Sequence, residues 1–213
     1  MRAFYLHGFA SSAQSSKAAF FRACFAEHGI ALDVPDLNDP DFATLTISRM
    51  LAQVRRGIDA AADGSVVLIG SSLGGFVAVQ SAAENAGKID RMVLLAPALD
   101  FSGNRVRDLG DRGLEAWRAT GTLNVFHYGY GRLVPVHYEL FADAQQYRPL
   151  EARVDLPIQV FQGRHDAAVD PDTVERWAAA RPNVELHMLE DDHQLHASLP
   201  HIWTETARFL GLR

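Results

Sequence analysis

The sequence predicts one α/β domain built on a parallel sheet, and three observations lead to it. Apolar runs of strand length alternate with segments of helical periodicity. A glycine-flanked serine, Gly70-Ser71-Ser72-Leu73-Gly74, sits where one such run gives way to a helical pattern. The length, 213 residues with 48% apolar side chains, suits a single domain with a sizeable core, spanning 1–213.

The strands fall near 3–7, 31–35, 65–70, 91–96, 157–163 and 184–189, and the helices near 15–28, 42–62, 73–86, 171–180 and 200–210. Pro171 and Pro200 stand where a first helical turn tolerates proline. Gly29 and Gly87 follow helical runs, as glycines just past a C-terminus do. Residues 101–150 break the rhythm and are too long for a plain crossover. They read as a cap-like insertion over one sheet edge, helical near 108–120 and 137–147 and rich in aromatic residues. Trp117, Phe126, Tyr130 and Tyr138 are its candidate pocket residues, although packing is the first job of such rings. A single ordinary crossover helix with long irregular flanks is the alternative.

A formal net charge of −6 without a basic stripe argues against a nucleic-acid surface. The longest apolar runs are strand-sized, so no membrane span is expected. The apolar start, Met1 to Leu6, is too short for a signal-peptide core. The one cysteine, Cys24, allows no internal disulfide, and a reducing cytoplasm is the expected location. Cys24 itself lies among Phe20, Phe21 and Phe25 and reads as a small buried apolar residue.

The chemistry concentrates at Ser72. Strand before and helix after make the pattern a nucleophile elbow, in which the hydroxyl must stand clear of the sheet on a tight turn. Gly70 and Gly74 remove the Cβ atoms that such a turn would crowd. A serine hydroxyl needs a base to take its proton, and that base is usually a histidine held by a carboxylate. Reacting groups in parallel sheets gather in loops after the strands. Asp166 follows the strand 157–163 and is the candidate acid; Asp170, ahead of Pro171, reads as a helix-start residue. His193 follows the strand 184–189 and is the candidate base. Asp100, after the strand 91–96, is the alternative acid, and His196 the alternative base.

The order Ser72, Asp166, His193 is that of α/β-hydrolases, and the chain resembles that superfamily, particularly short bacterial esterases with little cap structure. The resemblance runs from His7-Gly8-Phe9 to His193-Gln194-Leu195, with Gly163-x-x-Asp166-x-x-Val169 as the acid loop. It implies a three-layer α/β-hydrolase fold with helices on both faces. The chain begins at what would be the family's third strand, so the leading antiparallel hairpin is missing and about six parallel strands are expected. It also implies an oxyanion hole made by the backbone N–H groups of Phe9 and Leu73. His7 then packs or hydrogen-bonds beneath the site.

The expected activity is cleavage of carboxylic esters or thioesters of small to medium acyl groups by a serine hydrolase, a carboxylesterase or thioesterase. A small-molecule sensor with little turnover, and acyl transfer to an acceptor other than water, are the alternatives. No phosphate loop or lysine-anchored motif appears, so no organic cofactor is expected. The spacing of His193 and His196, with Asp191, Asp192 and His187 near, lacks the i, i+4 pair of a zinc helix, so no metal is expected. The partner is a small-molecule substrate, and the chain is a monomer or homodimer.

Overall fold

A computed structural model describes residues 1–61 and 65–212. The elements run β1 (Arg2–Leu6), α1 (Ser16–Glu27), β2 (Leu32–Asp33), α2 (Ile47–Asp59), β3 (Val66–Ser71), α3 (Leu73–Glu84), β4 (Arg91–Leu95), α4 (Phe101–Thr120), β5 (Thr122–His127), β6 (Arg132–His137), α5 (Glu139–Ala144), β7 (Ile158–Gly163), α6 (Pro171–Ala179), β8 (Val184–Leu189) and α7 (Leu199–Leu210). Six strands form one parallel sheet in the order β2-β1-β3-β4-β7-β8. β5 and β6 form a separate antiparallel hairpin.

Strand side chains alternate between two cores, as the period of two dictates. Phe4, Leu6, Leu68, Leu94 and Val160 face α2, α3, α6 and the insertion. Ala3, Tyr5, Ile69, Leu95 and Phe161 face α1 and α7. The sheet is therefore covered on both sides, the three-layer α/β-hydrolase arrangement. β3 is buried at every position, whereas β8 is half-buried throughout and β2 is two residues long, which identifies the edges.

Most helix starts carry the expected chemistry. Ser15 accepts from the amide of Ala18, Thr46 from that of Arg49 and Asp170 from that of Asp172, with Pro171 opening α6. α2 is shorter than the pattern over 42–62: it begins at its Thr46 cap, and residue 62, like 213, lies outside the described residues. The strand expected near 31–35 shrinks to Leu32–Asp33.

The segment 101–150 differs from its expected form. Its first helix starts at Phe101, capped by Asp100, and breaks at Gly110, whose φ of 62° is non-helical. Between the helices stands the β5–β6 hairpin, pairing Thr122 with His137 and His127 with Arg132. α5 covers only Glu139–Ala144 of the helix expected near 137–147. Cys24 is half-buried rather than enclosed. Among the described residues no helix is long and apolar enough to cross a membrane.

Candidate active site

Ser72 occupies a sharp turn between β3 and α3 with φ 53° and ψ −117°, a conformation that costs a non-glycine residue energy and must be held by its surroundings. The holding bonds are visible. The Ser72 amide donates to the carbonyl of Leu95 at 2.9 Å, and the Ser72 carbonyl accepts from the amides of Gly75 at 2.8 Å and Ala98 at 3.0 Å. The turn is also too tight for side chains on either flank. A Cβ at Gly70 would stand 2.5 Å from the carbonyl oxygen of Gly74, and one at Gly74 only 2.0 Å from that of Leu6.

Three loops converge on this serine. His193 Nε2 lies 3.0 Å from Ser72 Oγ, and His193 Nδ1 lies 2.8 Å from Asp166 Oδ2. A carboxylate at Nδ1 requires the proton there, which leaves the Nε2 lone pair to accept the serine hydroxyl. The Asp166 side chain is fully enclosed and that of His193 is largely so. Burial pushes the Asp166 carboxyl upward in pKa, but the hydrogen bond and charge of His193, with the Val169 amide and the Gln162 side chain, outweigh it. The group lies below its ordinary value and is ionised at neutral pH.

Asp166 accepts four hydrogen bonds. Oδ1 takes the amides of Ala168 and Val169 at 2.9 and 2.8 Å, and Oδ2 takes Gln162 Nε2 at 2.9 Å besides His193. Gln162 was not singled out by the sequence, where it reads as the interior of a strand. The acid loop and the histidine loop lie against each other, because Gly163 lacks a side chain: a Cβ there would meet the carbonyl oxygen of Asp191 at 2.4 Å.

Helix α1 fixes the histidine loop from the other side. Lys17, 8% exposed, donates from Nζ to the carbonyl of Gln194 at 2.9 Å. Ser16 Oγ pairs with His196 Nε2 at 3.0 Å. Burial pushes the Lys17 ammonium down to about 8, against the upward pull of Asp166, Asp192 and Asp191. Lys17 too was missed, since at a helix start it reads as a solvated residue. The rival groups are engaged elsewhere. Asp100 caps α4 through the amide of Gly103 at 3.1 Å, and Asp170 caps α6.

The loop after β1 closes the site. A Cβ at Gly8 would stand 3.1 Å from the Cβ of Ser72 and 3.7 Å from its Oγ, so His7-Gly8-Phe9 lies against Ser72. His7 is buried, with Nε2 3.0 Å from the amide nitrogen of Leu37 and 3.2 Å from Asp36 Oδ1, and Nδ1 3.0 Å from the carbonyl oxygen of Gly8. Among the described residues the amides of Phe9 and Leu73 have no acceptor. The Phe9 ring stands 5.4 Å from Phe42 and 5.9 Å from Phe101. Phe42 meets His127 at 4.7 Å, and His127 stacks on Tyr130 at 3.8 Å, so a chain of rings runs from the site to the hairpin.

The four insertion aromatics are spread over two environments. Trp117 is buried, donates its indole N–H to the carbonyl of Val136 at 3.1 Å and meets Tyr138 edge-on, so this pair packs the insertion's own interior. Phe126 and Tyr130 are exposed. A cavity of about 300 Å³ lies nearby, bounded by Phe76, Leu99, Phe101, Tyr147 and Arg148; neither Ser72 nor His193 lines it.

Several known proteins share this framework. Mouse alpha/beta hydrolase domain-containing protein 10 superposes with a TM-score of 0.83 at 20% identity, over 98% of this chain and 89% of that one. Est1E from Butyrivibrio proteoclasticus, solved with ferulic acid bound, gives 0.82 at 19% identity, over 98% and 87%. Likeness at these identities shows the α/β-hydrolase fold. Lipase LipV of Mycobacterium tuberculosis is 36% identical over 86 residues, which are 38% of this chain; the match spans about a third of the lipase, 33% of its length. The family described as uncharacterised protein family UPF0227 matches residues 2–209, the whole of the sheet and all three converging loops, and the chain belongs to it.

Proposed function

We propose that this chain is a serine hydrolase that cleaves carboxylic esters or thioesters through an acyl-enzyme. The observation that carries the reading is the unbroken line of hydrogen bonds from Ser72 Oγ through His193 to Asp166, at 3.0 and 2.8 Å. Its three members come from loops distant in the chain, and the solvent-shielded carboxylate fixes both the tautomer and the tilt of the ring. The partial identity to a lipase supports the same class of chemistry.

Ser72 Oγ attacks the carbonyl carbon while His193 Nε2 takes the hydroxyl proton. The carbonyl oxygen becomes an oxyanion and accepts the N–H groups of Phe9 and Leu73, each contributing about 3 kcal/mol to lowering the barrier. Leu73 opens α3, whose dipole favours the same charge. The tetrahedral adduct collapses, and the leaving alkoxide or thiolate takes the proton from His193. Water then gives a proton to His193 as its oxygen attacks the acyl carbon; the second tetrahedral adduct collapses, Ser72 Oγ leaves and takes that proton back from His193, and the acid is released. Phe9, half-buried and backed by the buried rings of Phe42 and Phe101, supplies an apolar wall for a small to medium acyl group.

The test is a panel of p-nitrophenyl esters of rising chain length together with acyl-CoA thioesters, run on the wild type and on Ser72→Ala. Turnover is expected to fall about 10⁴-fold or more in the variant, with stability changed by less than about 1 kcal/mol because one hydroxyl is lost. A fluorophosphonate probe should label the wild type only. Full turnover in Ser72→Ala would overturn the proposal.

A further inference from the structure

One cation stands beside the converging loops and takes no part in the hydrogen-bonded line from Ser72 to Asp166. Arg105 lies in the second turn of α4, the helix that follows β4. The β4–α4 connection is tied to the Ser72 turn, since the Ala98 amide donates to the Ser72 carbonyl at 3.0 Å. The guanidinium carbon of Arg105 sits over two rings at once, 5.8 Å from the centroid of Phe9 and 5.6 Å from that of Phe101. Phe9 also carries one of the site's two amides that have no acceptor among the described residues. On the proposed mechanism, its backbone and then its ring therefore lead from the reacting carbonyl to Arg105.

This charge is poorly neutralised. The Arg105 side chain is only 23% exposed, and burial pulls its pKa below the ordinary value. Among the described residues its one ionic contact is Asp108, with Nη2 2.6 Å from Oδ2, and that carboxylate is 44% exposed and screened by water. Nε is buried and has no acceptor among the described residues. Leaving a buried donor of a charged group unpaired costs more than leaving a neutral one. A methionine would cover Phe9 and Phe101 without that cost. The position suits a ligand that brings the missing acceptor. A guanidinium is a planar fork of N–H donors, and its Nε–Nη2 edge matches the two oxygens of a carboxylate. The rings beneath fix the plane of the fork and keep water from one side of it.

We infer that Arg105 is a specificity-determining residue that selects acyl groups ending in a carboxylate, so that the preferred substrates are half-esters or half-thioesters of dicarboxylic acids. The inference rests on the proposed hydrolase reading and narrows its substrate class. The acyl carbonyl lies at the amides of Phe9 and Leu73, the apolar middle of the chain against the Phe9 ring, and the distal carboxylate at Nε and Nη2 of Arg105. Asp108 already occupies the Nη2 corner of that edge, so it competes with the substrate's carboxylate. A neutral acyl chain of equal length gains nothing from the cation.

The experiment compares kcat/KM for the mono-p-nitrophenyl esters of succinate, glutarate and adipate with p-nitrophenyl butyrate, valerate and hexanoate, neutral chains of matching length, with Ser72→Ala as the background. For at least one pair the charged ester should be favoured about tenfold or more, chiefly through a lower KM. Arg105→Gln should erase that preference, bringing the charged ester to the level of its neutral counterpart, and Arg105→Lys should recover only part of it. Asp108→Asn, at an exposed position, removes the competitor and should widen the preference about threefold. No preference in either the wild type or Asp108→Asn, or a preference that survives Arg105→Gln, would overturn the inference and leave the hydrolase reading intact. Preference for 4-acetoxybenzoate over its methyl ester, with none among the half-esters, would do the same by placing the anion on the leaving group. If no ester is turned over, the hydrolase reading fails, and calorimetry decides the inference separately. Monomethyl glutarate should bind Ser72→Ala and lose about tenfold in affinity when Arg105→Gln is added; equal affinity would overturn it.

Discussion

At the scale of single residues, the orientation of the His193 ring rests on a carboxylate with four donors, one of which comes from an amide that is itself incompletely satisfied. Among the described residues the buried Oε1 of Gln162 has no partner, while its Nε2 serves Asp166. Leaving a buried acceptor unpaired costs about 1–3 kcal/mol, so the residue is retained for what its nitrogen does. Gln162→Leu removes that donor and the unpaired acceptor together, so the two effects offset and stability should change by less than about 1.5 kcal/mol at neutral pH. It should also reduce kcat about tenfold with KM unchanged, because the variant disturbs the ring and not the substrate contacts. Chemical denaturation and ester kinetics check both; an unaltered kcat would show that the three remaining donors suffice. Ser72, Asp166 and His193 were legible as candidates because each follows a strand in a loop of recognisable composition. Gln162 and Lys17 were not, since a glutamine inside a strand and a lysine in a first helical turn carry no local signal of burial.

The elements tell the same story at larger size. Helix α3 starts so close to the end of β1 that a single methyl at Gly74 would overlap the carbonyl oxygen of Leu6. Backbone, not a flexible side-chain tip, blocks that position, so the helix itself must move. Gly74→Ala should therefore cost more than about 3 kcal/mol and lower turnover through displacement of the Leu73 amide, measured by urea unfolding and ester hydrolysis. A fully active, equally stable variant would mean that the α3–β1 contact can relax. Periodicity revealed the parallel strands and their crossover helices because continuous burial leaves a strong pattern. It did not reveal the β5–β6 hairpin. Pro135 interrupts β6 in a run otherwise of strand type, and proline argues against a strand with neighbours on both sides. In a two-stranded sheet each strand is an edge, so the objection disappears: Pro135 simply pairs opposite Asn124.

For the whole molecule, one buried charge links pH to stability. Lys17 has a pKa of about 8 in the folded chain, below its ordinary 10.5. Below both values the group is protonated folded or unfolded, and its burial is a constant cost. Between them the unfolded chain binds the extra proton, so stability rises with pH through that window. The wild type should gain stability relative to Lys17→Met from about pH 8 to 10.5, read as a difference in urea unfolding; parallel curves would mean that the ammonium is solvated. The same lysine joins the first helix to the last loop. Ser72 and His193, the proposed nucleophile and base, are 121 positions apart. A ribosome adding about 5–20 residues per second needs roughly 6–24 s to cross that interval. On the proposed mechanism, a newly made chain throughout that time carries an ordinary alcohol at position 72, harmless to the esters around it.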